Sequence, residues 1–193
     1  MLDKKYLERI RAEATVYDSG RRETIRLSDD IRNASKRSIF ALHRGDVETA
    51  DRLLSEATDG VGSVLSRARE IAQLSDEGSF RSALEEYAEA RLYRSYLRGE
   101  RLGPIAVGEF EVPADIFLGG LCDLVGELQR RQVRLATEGD IDGVRGVRDL
   151  AEEIVGSLLE MDLTGYLRNK FDQAKNSFRR SEEVLYEMSV RRA

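Results

Sequence analysis

Apolar residues recur every three or four positions along most of this 193-residue chain, which is the spacing of helices that bury one face. The pattern is clearest in the segment that contains Leu121, Leu124, Val125 and Leu128. Only two prolines occur, and both bracket residues 105–112, while the flanking segments are rich in Ala, Leu, Glu and Arg. Because these residues favour helices, the pattern predicts an all-α protein.

Turn and capping residues divide this pattern into about six long helices. Gly45-Asp46 and Gly139-Asp140 each combine a glycine that ends a helix with an aspartate that caps the next one. Pro113 suits the first turn of a helix, and residues 105–112 are predicted to form a loop or a small hairpin. The predicted helices cover about 3–44, with a kink at Ser19-Gly20, then 46–74, 79–99, 113–137, 140–161 and 164–191. We expect one domain over 1–193, folded as an antiparallel bundle.

The composition excludes several classes of protein. A single cysteine, Cys122, excludes an internal disulfide, and a single histidine, His43, excludes histidine-rich metal sites. No apolar run approaches the roughly 20 residues that cross a bilayer, and the charged start of the chain lacks a signal-peptide pattern. We therefore expect a cytoplasmic protein without a membrane partner. Any metal ion would be held mainly by carboxylate oxygens.

Two predicted helices carry acidic pairs. Asp123 and Glu127 lie one turn apart on the polar face of the fourth helix, and Glu86 and Glu89 are three residues apart on the third. Ordinary solvated stripes would show the same spacing. If the two helices pack face to face, however, four carboxylates meet and require a cation such as Mg²⁺ or Mn²⁺. Metal-assisted phosphodiester hydrolysis follows from such a site, whereas a di-iron bundle would need histidines that the chain lacks.

The basic residues are strongly biased towards arginine. The chain has 26 arginines and five lysines, and arginine binds phosphate bidentately, although codon usage would also explain the bias. Basic residues cluster in the first helix, and two more lie on the polar side of the fourth. The candidate nucleic-acid-binding residues are Arg22, Arg26, Arg32, Lys36, Arg37, His43, Arg44, Arg130 and Arg134.

Motifs spread over most of the chain resemble the translin family, and within it the translin-associated factor X branch. Residues 27–44 (LSDDIRNASKRSIFALHR) resemble its basic N-terminal helix, and residues 86–90 (EYAEA) its first acidic motif. Residues 115–130 resemble the second acidic motif, and residues 139–141 and 184–191 match in order and spacing. The chain lacks the long insertion of the eukaryotic proteins between the third and fourth helices, so it is similar to an archaeal-type homologue.

This resemblance implies a fold, an assembly and an activity. The family forms hollow, octameric helical shells that enclose RNA or single-stranded DNA, so we expect a homo-oligomer, with an octamer as the first expectation. The factor X branch supplies a Mg²⁺-dependent endoribonuclease site, and its acids correspond here to Glu86, Glu89, Asp123 and Glu127. The alternatives are a non-catalytic, translin-like shell and a helical scaffold that binds no nucleic acid. The natural RNA and the need for a separate translin subunit stay open.

Overall fold

The computed structural model describes residues 2–190, and within them it has six α-helices, one 3-10 helix and one small hairpin. The α-helices are α1 (Lys4–His43), α2 (Val47–Ala68), α3 (Gly78–Leu97), α4 (Ala114–Glu138), α5 (Ile141–Leu159) and α6 (Gly165–Val190). The 3-10 helix is Ala72–Asp76, and the hairpin pairs β1 (Ala106–Val107) with β2 (Phe110–Glu111). The predicted all-α fold with about six long helices is confirmed. Arg191, the expected end of the last helix, lies outside the described residues.

The main departures from the predicted elements lie near Gly20 and after α2. The helix α1 runs without interruption through Ser19 and Gly20, so the predicted kink is absent there. The helix α2 ends at Ala68 instead of near residue 74, and the 3-10 helix follows. A Cβ on Gly20 would lie 3.1 Å from methyl carbons of both Ile71 and Leu74, and Leu74 is fully buried. The glycine therefore admits the 3-10 segment against α1.

The described chain divides into two compact units, and the first comprises the residues up to Tyr87 together with Ala106–Glu111. Its frame is the pair α1 and α2, which a three-residue connection joins in antiparallel order. Gly45 adopts a left-handed conformation there, and the Asp46 side chain accepts a hydrogen bond from the Thr49 amide. Gly60 lets the two helices approach, because a Cβ on it would lie 2.7 Å from Cγ1 of the buried Ile31.

The second unit comprises Ala88–Ile105 and the chain from Val112 onward. In it α4 packs against α5 and α6, and α5 also packs against α6. Leu124, Val125 and Leu128 are fully buried, as the apolar pattern of α4 predicts. Gly119 is also buried although it lies one turn before Asp123, on the face of α4 that the sequence predicts to be polar, so α4 is covered on more than one side. The division into two compact units does not test the single domain predicted over 1–193, which stays a prediction.

No helix within residues 2–190 combines the length with the apolar character that crossing a bilayer requires.

Two glycines of α2 offer a matched test of the α1–α2 contact. We expect Gly60→Ala to lower the free energy of unfolding by about 1–2 kcal/mol, because the clash with Ile31 outweighs the gain in helix propensity. Gly62→Ala meets no atom within 4 Å and should raise it by up to about 1 kcal/mol. Urea unfolding followed by circular dichroism measures both, and equal effects of the two substitutions would contradict the packing described here.

Candidate functional site

The candidate site is best defined at Asp123, where α4 and α6 pack together. The Lys170 ammonium of α6 donates a hydrogen bond to Asp123 Oδ2, and both side chains are largely buried, with 16% of Lys170 and 26% of Asp123 exposed. The Tyr166 ring lies 5.5 Å from Lys170 Nζ. One turn further along α4, a Cβ on Gly126 would lie 3.9 Å from Ser177 Oγ of α6, which is an ordinary contact distance between the two helices. The carboxylate of Asp123 is therefore compensated by a positive charge of the same unit.

Glu127 lies one turn further along α4 and has a different environment. Arg130 Nη1 is 3.6 Å from Glu127 Oε2, and about a fifth of the Glu127 side chain is exposed. The neighbouring Tyr93 of α3 is fully buried. Burial raises the pKa of Tyr93 well above its usual range; the charge of Arg131 opposes this shift and that of Glu127 adds to it. The Tyr93 hydroxyl is therefore neutral over the whole working pH range.

The two acids of α3 differ in their partners. Glu86 belongs to the first unit, where Lys36 Nζ of α1 lies 3.1 Å from its Oε1. Glu89 belongs to the second unit and is only 8% exposed. Both lie within one continuous helix at a spacing of three residues, as predicted. A carboxylate as buried as Glu89 is unusual unless it is paired or bound to a cation.

The structure supplies the predicted pairs without assembling a complete metal site. Between Leu2 and Val190, no group of three or more Asp, Glu, His or Cys side chains is arranged so that it could hold a metal ion. The donor chemistry nevertheless fits Mg²⁺ or Mn²⁺, because all four candidates offer carboxylate oxygens. A positive charge also lies beside Glu86, Asp123 and Glu127. The four-carboxylate site therefore stays a prediction.

The predicted basic surface of α1 is largely exposed. Its exposed members are Arg22, Arg26, Lys36, Arg37 and Arg44. Some of these side chains are engaged: Arg26 lies 2.7 Å from Glu23 and 2.9 Å from Asp30, and the hydrogen bond with Glu23 raises the pKa of the Arg26 guanidinium. Arg22 and Arg37 form no ion pair with any other residue of the described chain. Among the candidate residues of this surface, these two contact neither an acid nor an aromatic ring of the described chain, so they are the most available to a phosphate.

The other candidate basic residues lie in varied surroundings. Arg32 is half-buried and pairs with Asp29, whereas Arg130 and Arg134 are exposed on α4. Arg134 forms an ion pair with Glu138 at 2.8 Å. His43 is only 7% exposed in the last turn of α1, so it does not lie on the exposed basic surface.

Reasoning from the sequence missed Lys170, which contacts the central acid of the candidate site. The residue is 47 positions from Asp123, so no local spacing connects the two. One signal was present: lysines are rare in this chain, and Lys170 lies in the first turns of the last helix. An isolated lysine on a polar helix face has no distinguishing pattern, however, until the partner helix is known.

Long helices, acidic pairs on two of them and an exposed basic surface on the first define an all-α protein with an acidic candidate site. A comparison with sequence families places it more narrowly: the profile of the Translin family matches residues 20–192. The chain therefore belongs to the Translin family, as the motifs predicted.

Individual relatives agree with this assignment. The translin-associated proteins X of Rattus norvegicus and Mus musculus are each 26% identical to the chain over an alignment of 208 positions, and the alignment covers 86% of this chain and 71% of theirs. The crystal structure of AfC3PO is similar at 27% identity with a TM-score of 0.88, and its complex with duplex RNA at 26% with a TM-score of 0.86. Both superpositions cover 97% of this chain and 98% of the other. Apo-NeC3PO shares the fold at 22% identity and a TM-score of 0.84.

The Lys170–Asp123 pair generates a stability prediction with a control on the same helix. In buffer with a metal chelator we expect Lys170→Met to lower the free energy of unfolding by about 1–3 kcal/mol, because it leaves a largely buried carboxylate without its partner. Lys175 also pairs with an aspartate, Asp172 at 2.7 Å, but both side chains are more exposed. Lys175→Met should leave the midpoint of urea unfolding nearly unchanged. Equal losses would mean that burial at Asp123 is unimportant.

Proposed function

We propose that this chain is a metal-dependent endoribonuclease that binds and cleaves RNA inside a homo-oligomeric shell. The observation that carries RNA binding is the likeness of the fold, over 97% of the chain, to AfC3PO in its complex with duplex RNA. The exposed cations of α1 support the same conclusion, since unpaired arginines on a helix surface suit a phosphate backbone.

The proposed catalytic group is the set Glu86, Glu89, Asp123 and Glu127, which would hold Mg²⁺ or, in its place, Mn²⁺. When bound, the ion supplies an activated water and stabilises the departing oxygen of the phosphodiester. Without such an ion, the side chains of Lys36 and Lys170 neutralise Glu86 and Asp123. Arg130, beside Glu127, is exposed and would attract the phosphate of a bound RNA. Tyr93 remains protonated near Glu127, so it adds no negative charge that would repel the phosphate.

Self-association is part of the same proposal. Along α6, Tyr186 and Val190 are 70% and 55% exposed, and exposed apolar residues at the end of a long helix suit contact with another copy of the chain. An octamer is the count that the family resemblance implies. Light scattering measures it: a mass several times the 21.8 kDa of one chain supports the shell, and a monomer contradicts it.

A non-catalytic, translin-like shell that binds single-stranded RNA or DNA is the second candidate. The observation in its favour is that residues 2–190 contain no group of three acids arranged for a metal ion. Labelled single-stranded RNA, incubated with and without Mg²⁺, separates the two candidates. Cleavage only with Mg²⁺ supports the endoribonuclease, binding without cleavage supports the second candidate, and a failure to bind contradicts both.

For Asp123→Asn we expect a loss of Mg²⁺-dependent cleavage by several orders of magnitude with RNA affinity nearly intact. The substitution removes the charge of a proposed ligand and keeps its volume, and it removes stabilisation at the reacting centre. Single-turnover cleavage of labelled RNA measures the rate, and a gel shift measures the affinity. Asp172→Asn, at a half-exposed acid of α6, is the matched control and should cleave normally. Undiminished cleavage by Asp123→Asn would remove Asp123 from the site.

For the basic surface of α1 we expect binding through phosphates. RNA affinity should fall steeply with salt, and replacing Lys36 and Arg37 together with Ala should reduce the log–log slope by about 1–2. The loss in affinity should be similar for RNAs of different sequence, because phosphate contacts carry no base information. Fluorescence anisotropy at several salt concentrations measures both quantities. A change that depends strongly on sequence would contradict binding through phosphates alone.

A further inference from the structure

Lys170 is an unusual residue for its position beside Asp123. The chain has 31 basic residues and only five of them are lysines, yet the cation that bonds to this largely buried carboxylate is a lysine. The Lys170 side chain is 16% exposed, compared with 58% for Lys36 and 39% for Lys175 in their own ion pairs. The structure therefore keeps the ammonium of Lys170, and not an arginine, against a proposed metal ligand.

The choice of lysine affects how firmly the carboxylate is held. Arginine can grip a carboxylate with two parallel hydrogen bonds, whereas an ammonium is a point charge on a flexible stem that can rotate away. The Tyr166 ring, one turn earlier on α6, lies 5.5 Å from Lys170 Nζ and is well exposed. This ring offers the ammonium a favourable contact that does not involve Asp123, so release of the carboxylate does not leave the charge without a neighbour.

The other acid of α4 is held less firmly. Glu127 lies one turn after Asp123, and its ion-pair partner Arg130 is half-exposed at a distance of 3.6 Å. A half-exposed pair at this distance contributes little, because solvent screens it. Asp123 is therefore the carboxylate of this pair that is harder to free for another cation. An ammonium and a divalent cation repel each other, so they would not share this largely buried carboxylate.

We propose that Lys170 is a displaceable counter-ion of Asp123, whose ammonium must leave the carboxylate before a divalent cation binds there. Lys170 thereby sets the cation concentration at which the site fills. The proposal rests on the proposed function and deepens it by naming a residue that regulates the same site. Since Lys170 acts through Asp123, it is a positioning residue and not a catalytic one.

The alternative role for Lys170 is that of a permanent partner that orients Asp123 towards the metal ion. The two roles predict effects of opposite sign. Removing a permanent partner would weaken the binding of Mg²⁺, because Asp123 would lose its orientation. Removing a displaceable counter-ion strengthens it, because the unpaired carboxylate regains a partner when the ion binds.

Lys175 provides a matched control on the same helix. Its ammonium lies 2.7 Å from Asp172 and 4.9 Å from the centroid of the Phe171 ring, so it also has one acid and one aromatic neighbour. This pair is more exposed than Lys170 and Asp123, and neither member belongs to the proposed metal site. Lys175→Met therefore removes a similar lysine without changing the proposed ligands.

The experiment is a calorimetric titration of the RNA-free full chain with Mg²⁺. We expect Lys170→Met to bind Mg²⁺ about ten- to a hundredfold more tightly than the wild type. Lys170→Gln removes the charge but keeps a hydrogen-bond donor, so it should also bind more tightly and serves if the Met variant does not fold. Lys170→Arg keeps the charge and should bind no more tightly than the wild type, and Lys175→Met should match the wild type. Adding Asp123→Asn to Lys170→Met should abolish the gain.

Urea unfolding gives a second readout that does not depend on activity. Lys170→Met is expected to be less stable than the wild type in chelator, and saturating Mg²⁺ should restore most of the difference, because the ion supplies the missing positive charge. The rise in the unfolding midpoint on adding Mg²⁺ should therefore be larger for Lys170→Met than for the wild type. For Lys175→Met it should equal that of the wild type.

Three results would overturn the proposal. If the wild type binds Mg²⁺ and both neutral variants bind it equally or more weakly, displacement of Lys170 is wrong while the proposed metal site stands. If the tighter binding of Lys170→Met persists when Asp123→Asn is added, the ion binds elsewhere. If neither the wild type nor any Lys170 variant binds Mg²⁺, the displaceable counter-ion falls together with the proposed metal-dependent function.

Discussion

A carboxylate taken out of water must meet a positive charge, and this requirement shapes the candidate site. Asp123 is three-quarters buried, and the ammonium of Lys170, itself largely buried, is bonded to it. The pairing of Glu86 with Lys36 follows the same rule in the other unit. Removing one partner of such a pair costs more than the pair itself contributes, because an uncompensated charge is left behind. The proposed metal ion would meet the same requirement with a stronger charge, so it would compete with these lysines for the carboxylates.

Glycines allow close helix packing elsewhere in the molecule. In the second unit, Gly126 of α4 and Ser177 of α6 are at an ordinary contact distance, since a Cβ on Gly126 would lie 3.9 Å from Ser177 Oγ. In the first unit, Gly60 and Gly20 admit Ile31 and the 3-10 segment at distances that a Cβ would obstruct. The glycines that look unfavourable for helices in the sequence therefore serve packing.

The sequence was informative where the physical cause is local. Capping at Gly45-Asp46 and Gly139-Asp140 and the apolar spacing of α4 predict the elements that the structure shows, within a few residues. The i, i+3 and i, i+4 pairs of acids follow directly from helix geometry. Features that depend on a distant partner were not predictable: Lys170 beside Asp123, the burial of His43 and the early end of α2.

The central proposal is that the acids of α3 and α4 bind a divalent cation. Calorimetric titration of the RNA-free protein with Mg²⁺, for the wild type and for Asp123→Asn, tests it most directly because it depends on neither substrate nor cleavage. We expect saturable Mg²⁺ binding by the wild type that is lost or weakened at least tenfold in the variant. Absence of saturable binding in the wild type, or equal binding by both proteins, would contradict it.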